Sequence, residues 1–192
     1  MHANHFYPLI IVFISLNLIG CNKTSDSVIT EPELVTLAEQ GELNKVQQLL
    51  SLGEKADTLD SCQWSPLMKA AQNGHIEIVK LLLTKGANVE QADKGGYTAL
   101  LLATSRNKYQ IVELLLAHHA NINHQESSMG WSALIWATKM NYIETVDVLL
   151  KHQADTKLTD FKGKTALMWA KTIKSKQLIQ LLSGYKQDNN KS

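Results

Sequence analysis

Four segments of this chain carry one pattern at nearly constant spacing. They are Ser65-Pro66-Leu67-Met68-Lys69-Ala70, Thr98-Ala99-Leu100-Leu101-Leu102-Ala103, Ser132-Ala133-Leu134-Ile135-Trp136-Ala137 and Thr165-Ala166-Leu167-Met168-Trp169-Ala170, with starts 33, 34 and 33 residues apart. A second apolar run follows each in the same register: Ile78 to Leu83, Ile111 to Leu116, Thr145 to Leu150 and Leu178 to Ser183. A degenerate fifth copy leads the series, with Leu34, Gly41, Leu43, Val46, Leu49 and Leu50 each 33 residues ahead of its counterpart. A period of this length constrains the fold more tightly than composition does. One copy is too short to bury its own apolar face, so the copies must stack and each must be covered by its neighbours.

Within one copy the side chains predict two short helices. Ser65, Thr98, Ser132 and Thr165 can each accept a hydrogen bond from the first turn of a following helix, and Pro66 suits the first helical position, where no N–H is needed. Leu67 and Ala70 lie three apart on one face, and the small alanines let neighbouring helices approach closely. In the second helix Ile76, Val79, Leu82 and Leu83 form a stripe that only an adjacent copy can bury. Gly86, just past that helix, suits a left-handed residue. Its counterparts His119 and Gln153 are expected to strain the same position.

These residues, with Asn73-Gly74-His75 between the helices and Gly86-Ala87-Asn88-Val89 after the second, resemble the ankyrin repeat. The resemblance implies an all-α ankyrin-repeat solenoid of helix-turn-helix units with hairpin loops, about five repeats including degenerate caps. The caps are expected to be polar where inner copies are apolar, at Gln48 in the first and at Lys176 and Ser183 in the last. The sequence departs from the family in two respects. The family's signature histidine is replaced by Met68, Leu101, Ile135 and Met168, and its proline survives only as Pro66, so apolar packing must substitute for a polar network.

The N-terminal segment has a different character. Leu9 to Ile19 is apolar apart from Ser15 and Asn17. Eleven residues at about 1.5 Å each cannot cross a hydrocarbon layer of about 30 Å, so the run fits the core of a secretory signal peptide. It ends in Leu18-Ile19-Gly20-Cys21, which resembles the lipobox of bacterial lipoproteins. That resemblance implies cleavage before Cys21, acylation of Cys21 and a membrane-anchored protein in the periplasm, with Asn22 favouring the outer membrane. Met1 to Pro8 departs from the pattern in having no Lys or Arg. The alternative is a cytosolic ankyrin adaptor whose first residues form a buried strand or helix. The expected organisation is a signal peptide over residues 1–20, a lipidated N-terminus and tether over 21–32, the repeat domain over 33–184, and a polar tail over 185–192.

Charge narrows the function classes. Nineteen Lys and Arg against eighteen Asp and Glu give a formal charge of +1, so bulk charge supplies no nucleic-acid footprint. The distribution is uneven: residues 31–60 hold seven acids and two lysines, whereas residues 127–192 hold ten lysines and five acids. Opposite signs at the two ends could steer a polar partner. No catalytic motif occurs, and no catalytic residue, metal, cofactor or small-molecule substrate is expected. His118, His119, His124 and Cys62 supply material for a metal- or thiol-dependent enzyme, a less favoured reading, because zinc needs three or four convergent ligands. His118 and His152 share a repeat position, and His75 matches a repeat element. Once Cys21 is acylated, Cys62 is the remaining thiol, on a predicted hairpin tip.

The residues before the Ser or Thr caps are Trp64, Tyr97, Trp131 and Lys164. In ankyrin proteins the hairpin tips and first helices form a concave surface that contacts partner proteins. Carried onto this sequence, that surface comprises Trp64, Lys94, Tyr97, Arg106, Met129, Trp131, Met140, Phe161 and Lys164. Aromatic rings and Arg are enriched where interfaces concentrate their energy. The same rings could equally cover neighbouring hairpins as packing. Trp136 and Trp169 stand where the family has Leu and are read as core. The function this implies is a lipid-anchored, non-enzymatic module that binds another protein, such as a periplasmic enzyme or toxin.

Overall fold

The computed structural model describes residues 32–185. The expected signal segment, Cys21, the tether up to residue 31 and the tail from residue 186 lie outside the described residues.

The described residues form ten helices: α1 (Glu33–Gln40), α2 (Leu43–Ser51), α3 (Pro66–Asn73), α4 (Ile76–Thr84), α5 (Ala99–Ser105), α6 (Tyr109–Ala117), α7 (Ala133–Lys139), α8 (Ile143–Lys151), α9 (Ala166–Thr172) and α10 (Lys176–Gly184). Odd-numbered helices pack on one another in one layer, even-numbered helices in a second, and the two helices of a pair pack together. This is the all-α repeat solenoid expected from the period. Strand pairing among the described residues is limited to isolated antiparallel bridges, Ala92 with Thr98, Gln125 with Ser132 and Thr159 with Thr165.

The predicted caps are in place. Ser65, Thr98, Ser132 and Thr165 accept from the backbone N–H three residues on, at 3.2 to 3.4 Å. Met68, where the family has histidine, partly replaces it: its Sδ accepts from the Ser65 N–H at 3.4 Å. Leu101 and Ile135 at the same place are fully buried, so apolar contact substitutes there. Met168 is 51% exposed because no repeat follows α9 among the described residues. Gln48, Lys176 and Ser183 are exposed, which gives the second-helix layer polar ends.

Each repeat turns the chain with left-handed residues at three fixed places. The turn between paired helices uses Gly41, Gly74, Asn107, Asn141 and Lys174; the exit from the second helix uses Gly53, Gly86, His119 and Gln153; the hairpin uses Gln63, Gly96, Gly130 and Gly163. His119 and Gln153 both sit at φ 65°, as their alignment with Gly86 required. Asn107 shows how a non-glycine is accommodated. Asn tolerates this region better than most residues, and its Oδ1 accepts from the buried Thr145 hydroxyl of the next repeat at 2.8 Å.

Polar bonds cross between repeats at regular intervals. Asp57 Oδ1 accepts from the Asn88 N–H at 2.7 Å, Glu90 Oε1 from Asn121 at 2.7 Å, and Asn123 Oδ1 from Asp155 at 2.9 Å. Such bonds align neighbouring loops but each contributes only about 1 kcal/mol. The larger share comes from buried Leu, Ile, Val and Ala at each helix contact, a continuous core from Leu34 to Leu182. Among the described residues no helix is long and apolar enough to cross a membrane.

Leu115 tests this division. It lies on α6 with no exposed surface, and α6 packs on both α4 and α8. Leu115→Ala should lower the unfolding free energy by about 2 to 5 kcal/mol in urea denaturation. A loss below about 0.5 kcal/mol would place Leu115 outside the repeat contacts.

Candidate partner-binding surface

An acidic residue organises every hairpin. Asp60 Oδ1 accepts from the N–H groups of Cys62 and Trp64, both at 2.8 Å. Asp93 Oδ1 does the same for Gly95 and Tyr97 at 2.8 and 2.9 Å, and Asp160 Oδ1 for Lys162 and Lys164 at 2.9 Å each. The third hairpin has Glu126 in this role and one extra residue, the origin of the single 34-residue spacing. The additional methylene of glutamate lets the carboxylate reach around the longer turn. It accepts from the N–H groups of Ser128, Met129 and Trp131 and from the Ser128 hydroxyl, and Glu126 is only 1% exposed.

Burial pushes the Glu126 carboxyl up, but the hydrogen bonds from Ser128, Trp131 and Met129 outweigh it and hold the group below the usual glutamate range. Asp160 behaves likewise: burial raises it, and bonds from Lys164, the Trp169 indole and Lys162 bring it below its ordinary value. Asp93 goes the other way, because burial prevails over the bonds it accepts from Tyr97 and Gly95.

These carboxylates fix the residue before each cap, so Trp64, Tyr97, Trp131 and Lys164 fall in one row, all half-buried. The rings are joined to the first-helix layer. Trp136, 2% exposed, meets Tyr97 edge-on at 5.9 Å between ring centroids and Trp131 at 5.1 Å. Lysines cover much of what remains. Lys69 Nζ stands 4.6 Å from the Trp64 centroid, Lys139 Nζ 3.9 Å from Trp131 and 4.9 Å from Trp169, and Lys164 Nζ 4.3 Å from Trp169. Truncating a ring in this row would therefore disturb packing as well as any partner contact. Trp136 is core as expected. Trp169, at the equivalent place in the last repeat, is half-buried and donates its Nε1–H to Asp160 Oδ2 at 2.9 Å.

The other surface residues fall in two groups. Lys94, Met129 and Phe161 are exposed on hairpin tips, where Lys94 Nζ donates to the Ser61 carbonyl at 2.9 Å and the Phe161 N–H donates to the Met129 carbonyl at 3.0 Å. Arg106, exposed, and Met140, half-buried, follow the C-terminal ends of α5 and α7. The lysine covers and the hairpin carboxylates were missing from the sequence reading. A signal for the carboxylates was present, an acid four or five residues before the residue preceding each cap.

Among the described residues the histidines stand apart from one another, except the adjacent His118 and His119. His75 Nε2 lies 3.0 Å from the Glu39 carbonyl and His124 Nε2 2.8 Å from the Gly96 carbonyl, while His118 and His119 close α6. Among the described residues no group of three or more His, Cys, Asp or Glu is placed to hold a metal ion. Cys62 is half-buried on its hairpin.

Comparison with protein families finds a match to a model described as ankyrin repeats (3 copies), over residues 34–126 and 119–192. No curated protein matches the chain.

Glu126 supplies a pH test. Its folded-state carboxyl sits below its unfolded value, so its stabilisation is complete above about pH 4.5 and is lost as pH falls through the folded value. Glu126→Gln should cost about 1 to 3 kcal/mol at pH 7, and the gap from wild type should close on acidification. A gap independent of pH, measured by denaturation from pH 7 to pH 3, would mean that the carboxylate's charge is not what holds the hairpin.

Proposed function

This chain belongs to the ankyrin-repeat family, and on that premise we propose that it is a non-enzymatic protein-binding module, lipid-anchored at Cys21 in the bacterial periplasm. Its task on this reading is to hold or neutralise a periplasmic enzyme or toxin against the hairpin and first-helix side. The observation that carries the binding role is the row at the residue before each cap, flanked by Met129 and Phe161, which are 43% and 70% exposed. Large apolar side chains left in water beside rigid rings are what a partner's desolvation requires. The anchor rests on the apolar run ending at Leu18-Ile19-Gly20-Cys21. Two or three acyl chains, at about 0.8 kcal/mol per buried methylene, hold a domain of this size at a bilayer. The outer membrane is the proposed location, from Asn22 after the cysteine.

Mass spectrometry of the mature N-terminus, joined to capture from membranes, tests both parts. The chain should begin at Cys21 with a thioether-linked diacylglycerol, and Cys21→Ser should leave unprocessed, unlipidated precursor. A soluble wild-type chain retaining Met1 would contradict the anchor. A captured protein should be lost when Arg106→Glu and Met140→Glu are combined, and kept with Lys80→Glu on α4; the reverse pattern would move the binding surface to the second-helix layer.

A further inference from the structure

Lysine heads rest on indole rings at both ends of the row, but the two ends differ in how the charge is balanced. On Trp64, Lys69 is neutralised within the molecule: its Nζ pairs with Glu39 of the preceding repeat at 3.2 Å. On Trp131 and Trp169, Lys139 and Lys164 have no such partner. Among the described residues no carboxylate lies within ion-pair distance of Lys139, Lys162 or Lys164. The acid beside them, Asp160, has both oxygens engaged, Oδ1 by the N–H groups of Lys162 and Lys164 and Oδ2 by the Trp169 indole. Three ammonium groups, two of them (Lys139 and Lys164) resting on the rings, therefore outnumber the Asp160 carboxylate beside them. Burial and the nearby Lys162 and Lys164 hold the Lys139 ammonium below its ordinary range, although Asp160 works against this.

Resting on the protein-binding reading above, we propose that the C-terminal half of this face, formed by Lys139 and Lys164 over Trp131 and Trp169 with Lys162 beside them, takes a carboxylate-rich segment of a partner protein. The cation–π contacts hold the ammonium heads in position before the partner arrives, which lowers the entropy lost on binding. Carboxylates supply the missing charge, and Met129 and Phe161 on the adjoining hairpin tips offer apolar contact beside it. Two other polyanions fit less well. Single-stranded nucleic acid binds through base stacking on open aromatic faces, and here Lys139 and Lys164 lie over those faces. An anionic membrane surface attracts exposed lysines wherever they stand, Lys171, Lys174 and Lys176 included, and so gives no preference for this cluster.

The test uses the full chain in non-ionic detergent and three fluorescent probes: an oligoglutamate peptide, an oligothymidylate of similar charge, and phosphatidylglycerol vesicles. Oligoglutamate should bind in low salt and weaken as salt rises. Lys139→Met combined with Lys164→Met keeps the apolar stems on the rings and should weaken that binding about tenfold, whereas Lys80→Met should not. Circular dichroism and the thermal midpoint of each variant report on folding. Should the double variant misfold, hydrogen exchange of the wild type decides: oligoglutamate should protect the 159–165 hairpin and the end of α7, and protection confined elsewhere overturns the proposal. It is also overturned if oligoglutamate fails to saturate in low salt, if the double variant binds as well as wild type, or if oligothymidylate or the vesicles bind more tightly. Capture of a natural partner by wild type and double variant alike would remove this inference and leave the binding reading standing; capture by neither would remove the binding reading itself.

Discussion

The covering of each repeat's apolar stripe by the next repeat is the contact on which every other feature rests. Helices of seven to nine residues are too short to be stable in water alone. They persist because Val79, Leu82, Ile111, Leu115, Val146 and Leu149 are buried from both sides of the stack. This requires the chain to return to the same place every 33 or 34 residues, and three left-handed turns per repeat achieve that. Where glycine is absent at these turns the stack compensates, as Asn107 does through Thr145. It also tolerates costs: the hydroxyls of Thr104 and Thr138, at one repeat position, are buried without a hydrogen-bond partner among the described residues.

The candidate surface follows from the same geometry. A residue at a given repeat position recurs along one edge, so placing a ring before each cap produces a row. What turns the row into part of the wall is local chemistry. Hairpin carboxylates hold each ring's backbone, Trp136 is wedged against Tyr97 and Trp131, and lysines close over the exposed faces. Ion pairing then divides the row: at the N-terminal end Lys69 pairs with Glu39, and at the C-terminal end Lys139 and Lys164 have no ion-pair partner among the described residues.

How much of this could be read from residues alone depended on whether the feature was periodic. Helix pairs, capping residues and the strained places at His119 and Gln153 all followed from register, since a fixed spacing forces equivalent residues into equivalent environments. The hairpin carboxylates escaped notice because Asp60, Asp93 and Asp160 are separated by the longer-chained Glu126 in an enlarged turn. Only the folded turn shows that the two differences compensate. The lysine covers escaped for another reason. Lys139 reaches Trp131 and Trp169 from the end of a helix, a contact set by side-chain length and not by spacing. Cys21 and the apolar run before it remain a reading of the sequence, outside the described residues.

Rings and helices form one coupled object. Trp64, Trp131, Trp136 and Trp169 sample the row from the first full hairpin to the last first-layer helix, so tryptophan emission reports on the surface while far-ultraviolet circular dichroism reports on the helices. Urea unfolding followed by both signals on one sample compares them directly. Coupling requires a single transition, with the two curves superimposed at the same midpoint. An emission change complete while the helical signal is still intact would show a free-standing aromatic surface laid on the stack, and would rule out that coupling.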